Sequence, residues 1–163
     1  MKVNLQSIDR NNFMVHQHKV GEHDCFLVQP VPFGTVWTKD NLIYRSSLWD
    51  IEGNPVSLSF KKFFNMGEKP DLFPDPSGSL LKYARMMEKL DGSTLIFSKY
   101  KGNLVVRTRG TVDVRAQPNG NEVDFLLNKY SKFKAFLDSA QNTESFIFEW
   151  LTPTNRIVLD YGD

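Results

Sequence analysis

Glu88-Lys89-Leu90-Asp91-Gly92-Ser93 runs directly into Thr94-Leu95-Ile96-Phe97-Ser98-Lys99-Tyr100, then Lys101-Gly102-Asn103, then Leu104 to Arg109. The two apolar runs read as strands. The Lys-Gly-Asn between them reads as a turn, because glycine adopts backbone angles that other residues resist. Asp91-Gly92 is a second turn signal, approached by the apolar and mostly extended Tyr83-Ala84-Arg85-Met86-Met87. A lysine held beside such a turn points one amine at one place, as covalent catalysis by an amine requires. With a side-chain period of two, Arg107 and Arg109 share a face. Either both guanidinium groups converge on the Lys89 turn or both look into solvent.

Upstream, Asn41-Leu42-Ile43-Tyr44-Arg45-Ser46-Ser47-Leu48-Trp49 is rich in strand formers, Glu52-Gly53-Asn54 turns, and Val56-Ser57-Leu58-Ser59-Phe60 returns with strict alternation. Pro55 stands where a strand tolerates proline, at its first position. Lys61-Lys62-Phe63-Phe64-Asn65 then leads into a loop crowded with Gly, Pro and Asp, Met66 to Gly78. Its paired aromatics and lysines suit a base and a phosphate, or else anchor a strand end in the core. Cys25 to Val28 reads as a short strand ended by Gln29-Pro30-Val31-Pro32. Residues 1–24 are polar and weakly patterned, with room for a short helix. They hold His16, His18 and His23, beside Asp24 and Cys25. Imidazole and thiolate suit a transition metal, yet the spacing matches no standard zinc arrangement. Exposed polar histidines are the other reading.

Downstream, Pro118-Asn119-Gly120-Asn121 ends the hairpin region. Asn121 with Asp124 has the form of a helix cap, and Leu126, Tyr130, Phe133 and Leu137 recur at helical spacing, predicting one amphipathic helix over 122–140. Ser145-Phe146-Ile147-Phe148-Glu149-Trp150-Leu151, the turn Thr152-Pro153-Thr154-Asn155 and Arg156 to Tyr161 predict a last hairpin. Glu149 lies in a strongly apolar strand, where a carboxylate is costly without a partner. That partner is either Arg156 or a ligand hydroxyl or amine.

At 163 residues the chain suits one domain with a sizeable core. No apolar run reaches membrane-spanning length, and the N-terminus lacks a signal-peptide profile, so no membrane partner is expected. One cysteine, Cys25, cannot form an internal disulfide, in keeping with a reducing cytoplasm. The net charge is only +1, but Lys82 to Arg115 carries eight basic and three acidic residues. That segment is +5 and the rest −4, a local field suited to a polyphosphate or nucleic acid, or simply a solvated charged hairpin.

Lysine, any residue, aspartate, glycine at Lys89 to Gly92 resembles motif I of the covalent nucleotidyltransferases: ATP-dependent DNA and RNA ligases and capping enzymes. Four ordered blocks sharpen the resemblance to ATP-dependent RNA ligases, in particular the tRNA-repair branch of T-even phages. They are Tyr44-Arg45 with Lys61-Lys62-Phe63-Phe64-Asn65, then Lys89 to Ser93, then Arg107-Thr108-Arg109-Gly110, then Phe148-Glu149-Trp150 with Pro153-Thr154-Asn155-Arg156-Ile157-Val158. The similarity spans about Leu42 to Tyr161.

The resemblance implies an α+β fold: antiparallel hairpins of a nucleotidyltransferase domain packed with at least one helix. It implies that Lys89 attacks the α-phosphate of ATP to form a lysyl-adenylate on the way to joining RNA 5′-phosphate and 3′-hydroxyl ends, nicked tRNA among them. Arg45 and Lys62 would contact the nucleotide or its phosphates, and Phe64 would shape the pocket. Asp91 and Gly92 of motif I join the nucleotide-binding set. Arg109 stands where the phage ligases have a lysine, and Glu149 matches the motif III acid expected on the ribose hydroxyls. An amine must be neutral to attack, and nearby cations favour that form. Magnesium would complete neutralisation of the phosphates. The family continues into motifs IIIa, IV and V, which supply a metal-coordinating acid and further lysines. None is found before Asp163, so 1–163 is expected to be the N-terminal part of such a domain, motifs I to III. The alternatives are a non-catalytic nucleotide or nucleic-acid binding module, or a DNA-ligase or capping-type enzyme.

Overall fold

A computed structural model describes residues 1–73, 85, 87–118, 120–142 and 144–152. The chain is α+β, built on two antiparallel sheets. The first is a meander of β1 (Phe13–Val20), β2 (His23–Pro30), β3 (Ser47–Asp50) and β4 (Pro55–Leu58), in that order. The second has the order β6-β5-β7, from β5 (Ser93–Tyr100), β6 (Asn103–Arg107) and β7 (Ser145–Trp150). Two helices, α1 (Asn121–Lys129) and α2 (Ser131–Asp138), complete it.

Strand alternation sets the layers. Tyr100 of β5 joins Val105, Val20, Cys25, Leu27, Leu48 and Val56 in a core between the sheets. Leu95 and Phe97 of β5 meet Val106, Val123, Leu127 and Leu137 in a core under the helices. The far face of the first sheet is closed by Ile8, Phe13, Val28 and Trp49, with Trp37 and Tyr44 against them. Sheet faces are thus covered by apolar layers, and burial of these side chains drives assembly.

The Lys-Gly-Asn turn stands as expected: Lys101 and Gly102 both take positive φ, 46° and 82°, the geometry of a tight hairpin. Gly53 also turns at φ 79°, where Asp50 Oδ1 accepts the N–H groups of Glu52 and Asn54 at 2.9 and 2.8 Å. Pro55 does open β4.

Several expectations are corrected. Residues 1–24, weakly patterned in sequence, hold a short 3-10 turn at Leu5–Ser7 and also a strand that was not expected, since Phe13–Val20 pairs along its whole length with His23–Pro30. Leu42–Arg45 is a 3-10 turn rather than strand, which sets Arg45 at the mouth of β3. The single helix over 122–140 is two helices, broken at Tyr130 (φ −114°, ψ 77°). Val123 and Leu127 face the sheet, and an unbroken helix would next present Tyr130 and then Lys134 there. The break rotates the second helix, so Phe133 and Leu137 pack inward while Lys134 and Asp138 pair in solvent. Asn121 does not cap: Gly120 precedes the helix without a side-chain bond, and Asp124 pairs with Arg115 at 3.0 Å. Most of the extended approach expected at Tyr83 to Met87 lies outside the described residues; Met87 to Leu90 carry no strand, and Gly92 has no positive φ. The return strand Arg156 to Tyr161 lies outside the described residues.

Candidate functional site

The turn before β3, the segment after β4, the segment before β5, the turn after β6 and the end of β7 meet around one cavity of about 760 Å³. That is within the range of small-molecule sites, about 300–1,000 Å³. Arg45, Lys89, Asp91, Gly92, Arg109 and Glu149 line it, with Phe60, Phe63, Thr94 and Thr108. Six of the eight candidate residues therefore converge, although Arg45 and Glu149 are over a hundred positions apart in the chain. Lys89 is exposed at its edge and is not packed into an apolar core.

The cavity has a cationic side. Arg45 is half-buried, and burial first, then the neighbouring Arg109 charge, lowers its guanidinium below the ordinary arginine value. Among the described residues neither Arg45, Arg109 nor Lys89 forms an ion pair. Two guanidinium groups held near each other repel, and a polyanion between them would relieve that. Arg45 lies 4.5 Å over the ring of Phe63, which fixes its plane.

The same cavity holds a carboxylate clamp. Glu149 Oε1 accepts the Gly92 N–H at 3.0 Å, and Oε2 accepts the Thr94 hydroxyl at 3.2 Å. This resolves what a carboxylate does in an apolar strand. It holds the backbone three residues after Lys89, across the Thr94↔Glu149 register of β5 and β7. Neither expected partner is the one seen: Arg156 lies outside the described residues, and the hydroxyl and N–H that Glu149 holds are the protein's own. Gly92 is needed for close approach: a Cβ there would overlap the carbonyl oxygen of Trp150 and come 2.6 Å from Leu151 Cδ2.

Lys62 and Phe64 do not line the cavity. They pair with each other, Lys62 Nζ 4.4 Å from the Phe64 ring, and Phe64 leans on Phe73 at 6.0 Å. Their neighbour Phe63 takes the cavity side instead. Alternation along 61–64 could have shown that Phe63 and Phe64 look different ways, but not which faces Arg45.

Arg107 is neither on the cavity nor in solvent. It is 0% exposed, and all five of its N–H groups are bonded within the protein. Burial pushes this guanidinium down to about 9, a value at which it is still charged at neutral pH. It ends β6, so the chain turns before Arg109 and the two do not share a face.

The histidines are apart from all this. His16 and His18 lie on β1, and His23 sets its ring 5.7 Å from that of Tyr100. Among the described residues no group of three or more His, Cys, Asp or Glu could hold a metal ion. No described helix is long and apolar enough to cross a membrane. Compared with protein-family models the chain matches none, and no curated protein matches it either.

Proposed function

We propose that this chain carries the nucleotide site of an ATP-dependent RNA ligase. One observation carries the proposal: Lys89 shares a single cavity with Arg45, Arg109 and Glu149. The neutral Lys89 amine attacks the α-phosphorus of ATP. An N–P bond forms, the bond to the pyrophosphate oxygen breaks, the amine proton leaves to solvent, and pyrophosphate departs. Arg45 and Arg109 hold the phosphates and offset the charge that develops on their oxygens. As forked, planar donors they suit paired phosphate oxygens better than lysines would. Glu149 keeps the Gly92–Thr94 backbone in place and, with about four acceptor positions on its two oxygens, retains capacity for ribose hydroxyls. Magnesium, if used, arrives on the nucleotide phosphates and supplies charge neutralisation. The adenylate would then pass to an RNA 5′-phosphate and be displaced by a 3′-hydroxyl, in the domain type that the sequence resemblance implies and the reducing cytoplasm that the single cysteine suits.

The test is intact-protein mass after incubation with ATP and magnesium. The expected result is one adenylyl group on the wild type and none on Lys89→Ala. A folded protein that binds RNA in a salt-dependent way and never gains the adduct would favour the binding-module alternative. Competition between RNA and DNA ends separates the RNA-ligase reading from the DNA-ligase or capping one.

A further inference from the structure

We propose that Arg107 is a positioning residue for the two cavity cations, holding Arg45 and Arg109 in place through Ser46. The proposal rests on the cavity being a polyphosphate site, and its test is arranged to fail separately from that reading.

Arg107 is fully buried, yet among the described residues none of its partners is a carboxylate. Its Nε donates to Ser57 Oγ at 2.7 Å and one terminal nitrogen to Ser57 O at 2.9 Å. The other three bonds go to the neighbours of the cavity arginines. They reach Ser46 Oγ at 2.7 Å, Ser46 O at 3.3 Å and Thr108 O at 3.1 Å. Ser46 follows Arg45, and Thr108 precedes Arg109. Burying a charge without a counter-ion is costly, and well-packed apolar residues would join two sheets as well or better. Cross-linking the sheets therefore does not by itself account for a charged group here.

The polarity of the network accounts for it. Arginine has donors only, so Ser46 Oγ must accept from it and turn its own proton elsewhere. That proton goes to the carbonyl of Arg109, at 2.8 Å. A hydroxyl that would otherwise rotate is thus locked into one direction by the buried cation. Meanwhile Ser46 O accepts from Arg107 and from Ser59 N–H at 3.2 Å, which pins the chain just after Arg45. The turn at Arg109 is closed independently by Thr108 Oγ1, which accepts the Gly110 and Thr111 N–H groups at 3.3 and 3.2 Å. One guanidinium therefore fixes the backbone from which each cavity guanidinium departs. The other hydroxyls form a relay that meets Arg107 only at Ser57 Oγ, on the side away from Ser46: Ser98 donates to Ser57 at 2.8 Å, and its contact with Ser145 is 2.9 Å.

The experiment compares Ser46→Ala, Arg107→Lys, the double variant and Ser98→Ala. Ser98 is as buried as Ser46 but does not touch Arg107. Two readouts are taken beside the melting temperature: tripolyphosphate affinity by calorimetry, and the backbone amide spectrum of the ligand-free protein at Arg45, Arg109 and Gly110. Losing one hydrogen bond of this kind should weaken tripolyphosphate binding about fivefold or more in Ser46→Ala and in Arg107→Lys. The double variant should be little worse than either, because both act on one linkage. Ser98→Ala should lower the melting temperature comparably and leave affinity and those amides in place. Additive losses in the double variant, or equal losses in Ser46→Ala and Ser98→Ala, would overturn the proposal. If the wild type binds no tripolyphosphate, the functional reading fails, and the amide shifts decide the positioning role alone: unmoved amides in Ser46→Ala refute it.

Discussion

Replacing Gly92 by alanine should damage stability and adenylyl transfer together, for a reason that can be traced atom by atom. The new Cβ would overlap the Trp150 carbonyl oxygen and sit 2.6 Å from Leu151 Cδ2. The leucine can rotate away, but the carbonyl belongs to β7, whose Trp150 pairs with Ser93 of β5. The strands must separate locally, an overpacking cost of about 1–3 kcal/mol. The same movement stretches the Gly92 N–H bond to Glu149, and hydrogen bonds to charged groups are worth about 1.5–3 kcal/mol. Part of that bond survives, so a total near 3 kcal/mol is expected. For a chain of this length such a loss lowers the melting temperature by roughly 6–12 °C. Urea unfolding and thermal melts measure it, and intact mass measures the adduct. Gly34→Ala is the control. Gly34 has φ 78° but nothing within 4 Å, so it tests backbone strain without crowding. A Gly92→Ala protein with wild-type stability and wild-type adduct yield would refute the close-packing reasoning.

Other outcomes follow from the same geometry. Glu149→Gln keeps an oxygen for the Gly92 N–H and should hold most of the stability, whereas Glu149→Ala should lose about 1.5–3 kcal/mol, read by urea unfolding. Phe63→Ala removes the ring beneath Arg45 and should weaken ATP binding about two- to fivefold, the effect of an exposed cation–π contact. Phe64→Ala should leave ATP affinity nearly unchanged, because Phe64 leans on Phe73 rather than on the cavity; calorimetry distinguishes the pair. Burial, then the charges of Asp50 and Asp24, pushes the Cys25 thiol from 9.0 to about 11. The folded chain keeps that proton while the unfolded chain loses it, so this group's contribution to stability falls as pH rises from 9 to 11. Cys25→Ala should show a smaller alkaline loss than wild type. The other titrating groups are common to both proteins, so the difference between them isolates Cys25.

Much of the architecture was legible from local pattern. Alternation marked β5, β6 and β7, and the glycines at 53 and 102 marked turns, because both signals act between residues close in the chain. The helix break at Tyr130 was not legible, since Leu126, Tyr130, Phe133 and Leu137 satisfy helical spacing on their own. Only the sheet beneath, already contacted by Val123 and Leu127, makes that spacing inconsistent.

The site divides the same way. From sequence alone came the residue types and their order: an amine beside Asp-Gly, an arginine on each side of it in the chain, and one carboxylate in an apolar strand. Tertiary structure decided their work. It buried Arg107 against Ser46 and Ser57 and left Arg109 on the cavity, although a two-residue period treats them alike. It assigned Glu149 to the Gly92 backbone, made Gly92 a matter of clearance rather than of backbone angle, and chose Phe63 over Phe64. Local backbone preference is settled by nearest neighbours, but burial and hydrogen-bond partnership depend on groups such as Ser46 and Arg107, which lie 61 residues apart and meet only when two sheets close on each other.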